Sequence, residues 1–260
     1  MKIPLFQVDA FTSRVFSGNP AAVCPLEDWL DDARLQAIAA ENNLSETAFF
    51  VPKCEGYELR WFTPAAEVDL CGHATLAAAH VLFTRLGHSG DAITFETRRS
   101  GRLVVRRRDD LLEMDFPAWS LEPAEAPDAL VRGLGAPPIE VWASDDWLCV
   151  YETEEEVRAI RPDPGALASL HRRGVISTAP GADCDFASRC FFPSYGIPED
   201  PVTGSAHCAL TPYWSKRLGK KALHARQVSA RGGELFCEDR GDRVAIAGRA
   251  APYLEGTITI

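Results

Sequence analysis

The sequence has no excess of basic residues and no long apolar run. Its 37 acidic residues outnumber its 27 basic ones and give a net charge of −10, which argues against a nucleic-acid-binding face. No apolar stretch approaches the ~20 residues that a membrane-spanning helix needs. The first residues become polar too soon for a signal peptide. We therefore expect a cytoplasmic protein with no nucleic-acid or membrane partner.

Motifs of the common cofactor-dependent and hydrolytic enzymes are also missing. The chain has no G-x-G-x-x-G fingerprint, no Walker loop and no G-x-S-x-G nucleophile elbow. Its eight cysteines include no C-x-x-C pair and are spaced too widely to indicate a disulfide framework. Cys71 and His73 form one close pair in the sequence, and His207 and Cys208 form another. The spacing of these four residues matches no structural zinc pattern. The sequence predicts neither a metal nor a cofactor.

Hydrophobic periodicity predicts a strand-rich protein with a few helices, an α+β pattern. The longest predicted helices cover residues 31–42, 72–86 and 203–218. The proline-containing stretch 117–126 is predicted to connect two lobes. The predicted lobes are residues 1–116 and 117–249, and the pattern leaves open whether the last strand, 250–260, returns to the first lobe.

An internal repeat supports two lobes. Aligning Gly72 with Gly204, an offset of 204 − 72 = 132, also pairs Glu67 with Glu199 and places alanine-containing helices opposite each other. Each half then has an acidic residue, a glycine turn and a helix. A duplicated architecture follows, in which the two helix starts are equivalent. The alternative is that two such helices match by chance.

The two predicted helix starts are candidate anion sites. A helix N-terminus offers unpaired N–H groups and the positive end of a dipole, and glycine lets a ligand approach closely. Gly72 and Gly204, with Thr203 beside the latter, are therefore candidate contacts for a substrate carboxylate. The alternative is ordinary capping, for which Thr203 and Ser205 are suited without any ligand.

Three ionisable residues are candidates for chemistry. Glu46 joins a predicted helix to an apolar strand, where partial burial would suit a group that takes and returns a proton. His73 lies in the first turn of a predicted helix, and Asp200 immediately precedes a turn. Taken singly, each residue also has an ordinary structural explanation. Glu46 would be an exposed strand-edge carboxylate, His73 a structural histidine and Asp200 a loop carboxylate.

Five motifs together resemble the PhzF-like family, which is named after phenazine biosynthesis. They are EDPVTGSAH at 199–207, LCGHAT at 70–75, GNPAAV at 18–23, NLSET at 43–47 and QVSARGG at 227–233. They occur in the family's order through most of the chain, and the ordered set is highly specific although no single motif is decisive.

The resemblance implies the diaminopimelate-epimerase-like fold, with two pseudo-symmetric lobes, each a curved β-sheet or open barrel around a central α-helix, and an active site between them. It implies a cofactor-independent isomerase acting on a small carboxylate. Glu46 matches the family's proton-shuttling glutamate. His73, Asp200 and Ser205 match its substrate-orienting residues. Dimers are frequent among relatives, so a homodimer is one expectation.

Two alternatives stay open. Related epimerases use two opposed cysteines, and Cys71 occupies the first of these positions, so an amino-acid racemase or epimerase is the second reading. Thr203 occupies the other position, and a threonine hydroxyl is not a competent base near neutral pH. The third reading is a catalytically silent ligand-binding or interaction protein that keeps the pocket.

Overall fold

The computed structural model describes the whole chain, residues 1–260. Its backbone divides into two compact units. The first contains residues 1–115 together with 247–260, and the second contains residues 116–246. The C-terminal segment therefore belongs to the first unit, although it follows the second unit in the sequence.

The first unit contains two helices among strands. Its elements, in chain order, are β1 (Lys2–Ala10), β2 (Asn19–Pro25), α1 (Asp32–Asn42), β3 (Glu46–Pro52), β4 (Tyr57–Phe62), β5 (Glu67–Val68), α2 (Gly72–Thr84), β6 (Ala92–Thr97), β7 (Arg102–Arg108), β8 (Leu111–Pro117) and, after the second unit, β18 (Ala250–Thr259). The last two residues of β8 already belong to the second unit.

Helix α2 is buried around most of its circumference, as an apolar helix without a polar face must be. All of its residues except Gly72, His80 and Thr84 are buried. Its alanines are fully enclosed, and their small side chains let β1, β2 and β3 pack against the helix. The helix predicted at 72–86 is confirmed, and it ends two residues earlier than predicted.

The second unit contains four helices among shorter strands. Its elements are β9 (Glu122–Pro123), α3 (Asp128–Leu134), β10 (Glu140–Ala143), β11 (Trp147–Val150), α4 (Glu154–Ala159), α5 (Pro164–Ala168), β12 (Val175–Pro180), β13 (Phe186–Phe192), a 3-10 turn (Pro193–Tyr195), β14 (Ile197–Asp200), α6 (His207–Leu218), β15 (Ala222–Gln227), β16 (Gly233–Asp239) and β17 (Arg243–Gly248). The chain re-enters the first unit at the end of β17.

The two units pair their strands in the same way, which confirms the internal repeat. In the first unit, β1–β2 is antiparallel, β2–β3 parallel, β3–β4 antiparallel, β4–β6 parallel and β6–β7 antiparallel. In the second unit, β10–β11, β11–β12, β12–β13, β13–β15 and β15–β16 repeat that order of directions. The α+β class predicted from the sequence is confirmed in both units.

The two glutamates that the repeat aligned have the same partner type. Glu67 accepts two hydrogen bonds from Arg60, at 2.7 and 2.9 Å. Glu199 accepts two from Arg189, also at 2.7 and 2.9 Å. The arginine side chains are only 1% and 10% exposed, and a buried guanidinium requires such a carboxylate. These two glutamates are therefore structural.

Helix α6 corrects one prediction. It begins at His207 rather than Thr203. A turn precedes it, in which His207 N donates to Gly204 O at 3.0 Å and Cys208 N donates to Ser205 O at 3.1 Å. Thr203 lies before this turn, and its backbone N–H and its hydroxyl are bound to Gln227 and Asp200. Gly204 is therefore not at a helix N-terminus, and the predicted equivalence of the two helix starts is wrong in this detail.

Other short elements also differ from prediction. The QVSARGG motif at 227–233 is mostly a turn rather than a strand, because β15 ends at Gln227 and the Ser229 hydroxyl binds Pro201 O and Gly232 N. Strands β10, β11 and β14 were not predicted. Each has four residues, too few for alternation to be recognised.

None of the helices combines the length and the apolar character that crossing a lipid bilayer requires.

Candidate active site

Glu46 is the first residue of β3, where the chain enters the sheet of the first unit. Asn43 caps α1 in the left-handed conformation, and the chain then turns into β3, which runs parallel to β2 with Glu46 beside Ala21. The Glu46 side chain is only 12% exposed. The partial burial expected from its position before an apolar strand is confirmed.

His73 faces Glu46 from the second position of α2. Its Nε2 atom lies 3.0 Å from a carboxylate oxygen of Glu46, Oε2, and its side chain is 7% exposed. Neither atom makes an aligned hydrogen bond to any protein group. Buried polar atoms without a partner are uncommon in folded proteins, so this pair has bonding capacity left for a ligand.

Cys71 lies on the other side of the imidazole. Its Sγ atom is 3.5 Å from Nδ1 of His73, which gives the order thiol, imidazole, carboxylate. Burial, with a contribution from the Glu46 charge, raises the pKa of the Cys71 thiol to about 11. The thiol is therefore protonated near neutral pH and is a poor base there.

The charge of His73 depends on these neighbours. Burial alone would lower the pKa of its imidazole, but the negative charges available at Cys71 and Glu46 outweigh burial and raise the pKa well above the usual 6.5. The two groups that raise the pKa of His73 lie on opposite sides of the ring, Cys71 at Nδ1 and Glu46 at Nε2. The site thus presents a carboxylate beside an imidazolium.

The same three residues could be taken for a metal site, because their ligand atoms lie within 4.8 Å of one another. The thiol, however, is next to Nδ1 and the carboxylate is next to Nε2. A metal ion uses one nitrogen of an imidazole, and the other is normally a hydrogen-bond donor to the second shell. The arrangement fits a proton-transferring chain better than a metal centre.

Helix α2 adds a feature suited to an anion. Gly72 is its first residue, and Cys71 at the N-cap makes no capping hydrogen bond through its side chain. The N-terminus therefore lacks the side-chain oxygen that usually satisfies its first N–H groups. An anionic ligand can take that role.

The predicted residues of the second unit form a separate hydrogen-bonded cluster. The Thr203 hydroxyl donates to Asp200 Oδ2 at 2.5 Å, and Thr203 N donates to Gln227 Oε1 at 2.8 Å. The Gln227 amide also donates to the Asp200 carbonyl at 2.7 Å. Asp200 and Thr203 are thus held together by Gln227, a residue not singled out from the sequence although it opens the QVSARGG motif.

Ser205 is bound to a different residue, Arg173, whose Nη2 atom donates to the Ser205 hydroxyl at 3.3 Å. Arg173 also donates to the fully buried Asp146, from Nε at 2.9 Å and from Nη2 at 2.5 Å. Its guanidinium lies over the rings of Trp119 and Phe192. Nothing in the sequence pointed to Arg173, because its partners are 27 and 32 positions away.

His207, the other histidine considered with the helix starts, is structural. It is fully buried, and its Nδ1 donates to the Thr203 carbonyl at 2.9 Å. Burial lowers the pKa of its imidazole to about 4, so it is neutral near pH 7.

Comparison with known proteins agrees with these motifs. The model of the PhzC-PhzF family, described as phenazine biosynthesis-like protein, matches residues 8–256. An uncharacterised isomerase of Pseudomonas aeruginosa is 55% identical over 99% of this chain and 99% of its own. A crystal structure of a PhzF-family phenazine biosynthesis protein from Enterococcus faecalis superposes with a TM-score of 0.98 and 47% identity, with both chains fully covered.

A more distant structure agrees in fold alone. A predicted epimerase from Pseudomonas aeruginosa superposes with a TM-score of 0.73 at 22% identity, over 99% of both chains. The α+β fold is thus shared with an epimerase-like protein as well as with close relatives. Together with the family model and the extent of the matches, this shows that the chain belongs to the PhzF-like family of phenazine biosynthesis-like proteins.

Proposed function

We propose that the protein is an isomerase that moves a proton on a small carboxylate, with Glu46 as its single acid and base. The observation that carries the proposal is the buried Glu46 carboxylate, which is 12% exposed and lies 3.0 Å from His73 Nε2. Its Oε2 atom makes no aligned hydrogen bond within the protein, which leaves it bonding capacity for a substrate proton. Similar proteins from Pseudomonas aeruginosa and Halalkalibacterium halodurans are named uncharacterised isomerases.

In this proposal Glu46 removes a proton from a substrate carbon and becomes a neutral carboxylic acid. The electron pair left on carbon delocalises into the conjugated system of the substrate, and Glu46 returns the proton to a second carbon. The same carboxyl group is regenerated, so no cofactor or external acid is consumed. Because one group performs both transfers, the proton leaves and arrives on the same face of the substrate.

His73 and the start of α2 would supply the electrostatic part of catalysis. The imidazolium can hydrogen-bond to negative charge that develops on the substrate. The N–H groups at Gly72 and His73 suit the substrate carboxylate. We assign Asp200, Thr203, Gly204 and Ser205 as substrate contacts on the strength of the family motif, with Gln227 fixing the first two.

Racemisation by Cys71 is the second candidate function. A thiol with a pKa of about 11 would have to be ionised at considerable cost near pH 7, and Thr203 offers no second thiol. These features favour Glu46 as the base. A substrate that stabilises the thiolate would reverse this preference, so variants of both residues belong in the test.

Solvent-deuterium incorporation tests the proposal. Wild-type protein is incubated in D2O with small cyclic and amino carboxylates, and label at carbon is followed by NMR. We expect label with wild type, none above background with Glu46→Gln, and retained exchange with Cys71→Ser. Removing a general base typically costs about 10²–10⁴-fold in rate.

Glu41→Gln is the matched control, because Glu41 is exposed on α1 and its change should leave exchange at the wild-type rate. Exchange that survives Glu46→Gln and disappears with Cys71→Ser would contradict the assignment and favour the thiol. Circular dichroism of each variant separates loss of chemistry from loss of folding.

A further inference from the structure

A groove of about 720 Å³ lies in the second unit. It is bordered by the segment 118–121 that follows β8, by β10 and by α6, with the turn at Gly241 and Asp242 at its rim. None of the residues assigned to the candidate active site lines it. Its volume is in the range of small-molecule sites, which are typically about 300–1,000 Å³.

Aromatic and aliphatic side chains form its walls. Trp119, Trp142 and Tyr213 contribute rings, and Leu121 and Pro212 add apolar surface. The Trp142 and Tyr213 rings meet edge to face, with centroids 5.9 Å apart. Half-buried aromatic rings around an open groove are typical of a surface that contacts a flat apolar ligand.

A single carboxylate holds two of these rings in place. Glu140 Oε2 accepts hydrogen bonds from Trp142 Nε1 at 3.1 Å and from the Tyr213 hydroxyl at 3.0 Å. Its other oxygen accepts from Arg217 at 2.6 Å. The polar ends of both rings are therefore satisfied within the protein, and their faces are fixed without a ligand, which lowers the entropy cost of binding.

The charges at the groove favour an anion on its helical side. Glu140 and Arg217 neutralise each other through their ion pair. Lys216, on α6 one turn after Pro212, is exposed and has no ion-pair partner. Asp242 is the opposing charge, and it lies in the turn on the rim. An anionic ligand bound near Lys216 would be attracted by its positive charge. A cationic ligand would gain little from Glu140, because that carboxylate already accepts hydrogen bonds from three donors.

We propose that this groove is a second ligand site, which binds a planar aromatic carboxylate with its ring against Trp142 and its carboxylate at Lys216. The site goes beyond the proposed isomerase function and does not depend on it.

Benzoate is the probe, and the indole N–H signals of 15N-labelled protein are the measurement. The chain has six tryptophans, of which Trp119 and Trp142 line the groove. We expect both signals to shift saturably with a Kd of about 1 mM, ordinary for so small a ligand. Trp29 and Trp61, in the first unit, should not shift.

Variants test the ring and the charge separately. Trp142→Ala should abolish saturable binding, while the remaining indole signals show that the fold is kept. Lys216→Ala should weaken benzoate about threefold, as expected for one exposed ion pair. Asp242→Asn should strengthen it, because it removes the repelling charge.

Three results would overturn the proposal. One is the absence of any shift of Trp119 and Trp142 at saturating benzoate. Another is failure of the charge test, in which benzylammonium binds more tightly than benzoate or Lys216→Ala leaves the benzoate affinity unchanged. The third is a dimer in sedimentation experiments whose Trp142 signal changes on dilution but not with benzoate, since a second copy would then cover the groove.

Discussion

His73 lies between a thiol and a carboxylate, and its proton is held by the charge of its neighbours. A folded-state pKa above the usual value means that the folded protein binds this proton more tightly than the unfolded chain. The resulting stabilisation is fully present below pH 6.5 and is lost as the pH rises through the folded-state pKa. The stability of the protein should therefore depend on His73 mainly at low and neutral pH.

We predict that the difference in free energy of unfolding between wild type and His73→Gln shrinks by more than about 1 kcal/mol between about pH 6 and about pH 10. Urea denaturation at both pH values measures it. Glu46→Gln removes one of the charges that raise the pKa and should reduce the pH dependence. A difference that grows with pH would show that His73 is neutral in the folded protein.

The cysteines should differ sharply in reactivity. Cys54 is exposed, whereas Cys71 is buried and has a thiol pKa of about 11. Iodoacetamide at mildly alkaline pH should therefore modify Cys54 first and leave Cys71 unmodified, because the thiolate is the reacting species. Peptide mass spectrometry locates the adduct. Equal labelling of Cys71 would reveal an accessible thiolate and would strengthen the case for a thiol base.

The sequence was sufficient to select Glu46, His73 and Asp200, because each belongs to a short local motif. It did not identify Arg173, whose bonds to Asp146 and Ser205 span 27 and 32 positions. Local sequence carries no signal for such a contact. Gln227 is intermediate, since its motif was recognised but its hydrogen bonds to Asp200 and Thr203 depend on the end of β15 lying beside the turn that precedes α6.

Among the elements, the strands β4 and β13 each carry an arginine that is buried with a glutamate. Arg60 in β4 is 1% exposed on its side chain and also contacts Asp32 at 2.9 Å. The Arg60 hydrogen bonds lower the pKa of Glu67, so its carboxylate is ionised throughout the neutral range. Loss of Glu67 would leave the buried Arg60 guanidinium with Asp32, whose side chain is 66% exposed, as its remaining carboxylate partner.

We predict that Glu67→Gln lowers the free energy of unfolding by about 3 kcal/mol. The double variant Arg60→Met, Glu67→Met should be less destabilised than the single one, because it leaves no unpaired charge. Glu58→Gln, which affects a looser ion pair with Lys53 at 3.7 Å, is the control and should cost less than about 0.5 kcal/mol. Urea denaturation of the four proteins decides the matter, and an unaffected Glu67→Gln would contradict the structural role.

The helix ends show which structural details local sequence patterns can predict. Thr153 and Glu156 have the sequence spacing of a capping box, and they form one at the start of α4 with both reciprocal hydrogen bonds. The start of α6 was predicted four residues too early. Thr203, Gly204 and Ser205 are poor helix formers, and Thr203 instead bonds to Asp200 and Gln227.

For the molecule as a whole, the charge of −10 is the property that composition fixes most directly. We predict no binding of a fluorescently labelled DNA duplex up to about 100 µM protein at physiological salt, because counterion release requires a basic surface. Fluorescence anisotropy measures it, and lowering the salt should not restore binding. Saturable binding that weakens as salt is added would reveal a basic surface that the net charge hides.

The 132-residue offset was enough to infer that the strand pairing is repeated, but not to infer which short strands take part in it. Motif order and periodicity fix the class, the helix α2 and the equivalent glutamates. The short strand β10 depends on pairing with β11, and β11 depends on pairing with β12, which is three-dimensional information. Sequence reasoning therefore found the duplicated pattern and missed the smallest members of each copy.

The matched topology makes β3 and β12 corresponding strands of the two copies. Glu46 opens β3 beside β2, and Val175 opens β12 beside β11. The two copies thus differ in what their corresponding strand begins with, an acid in one and a fully buried valine in the other. Selection for chemistry would act on the first copy at this position, and selection for packing alone on the second. Among relatives, position 175 should therefore drift among Val, Ile and Leu while position 46 stays fixed.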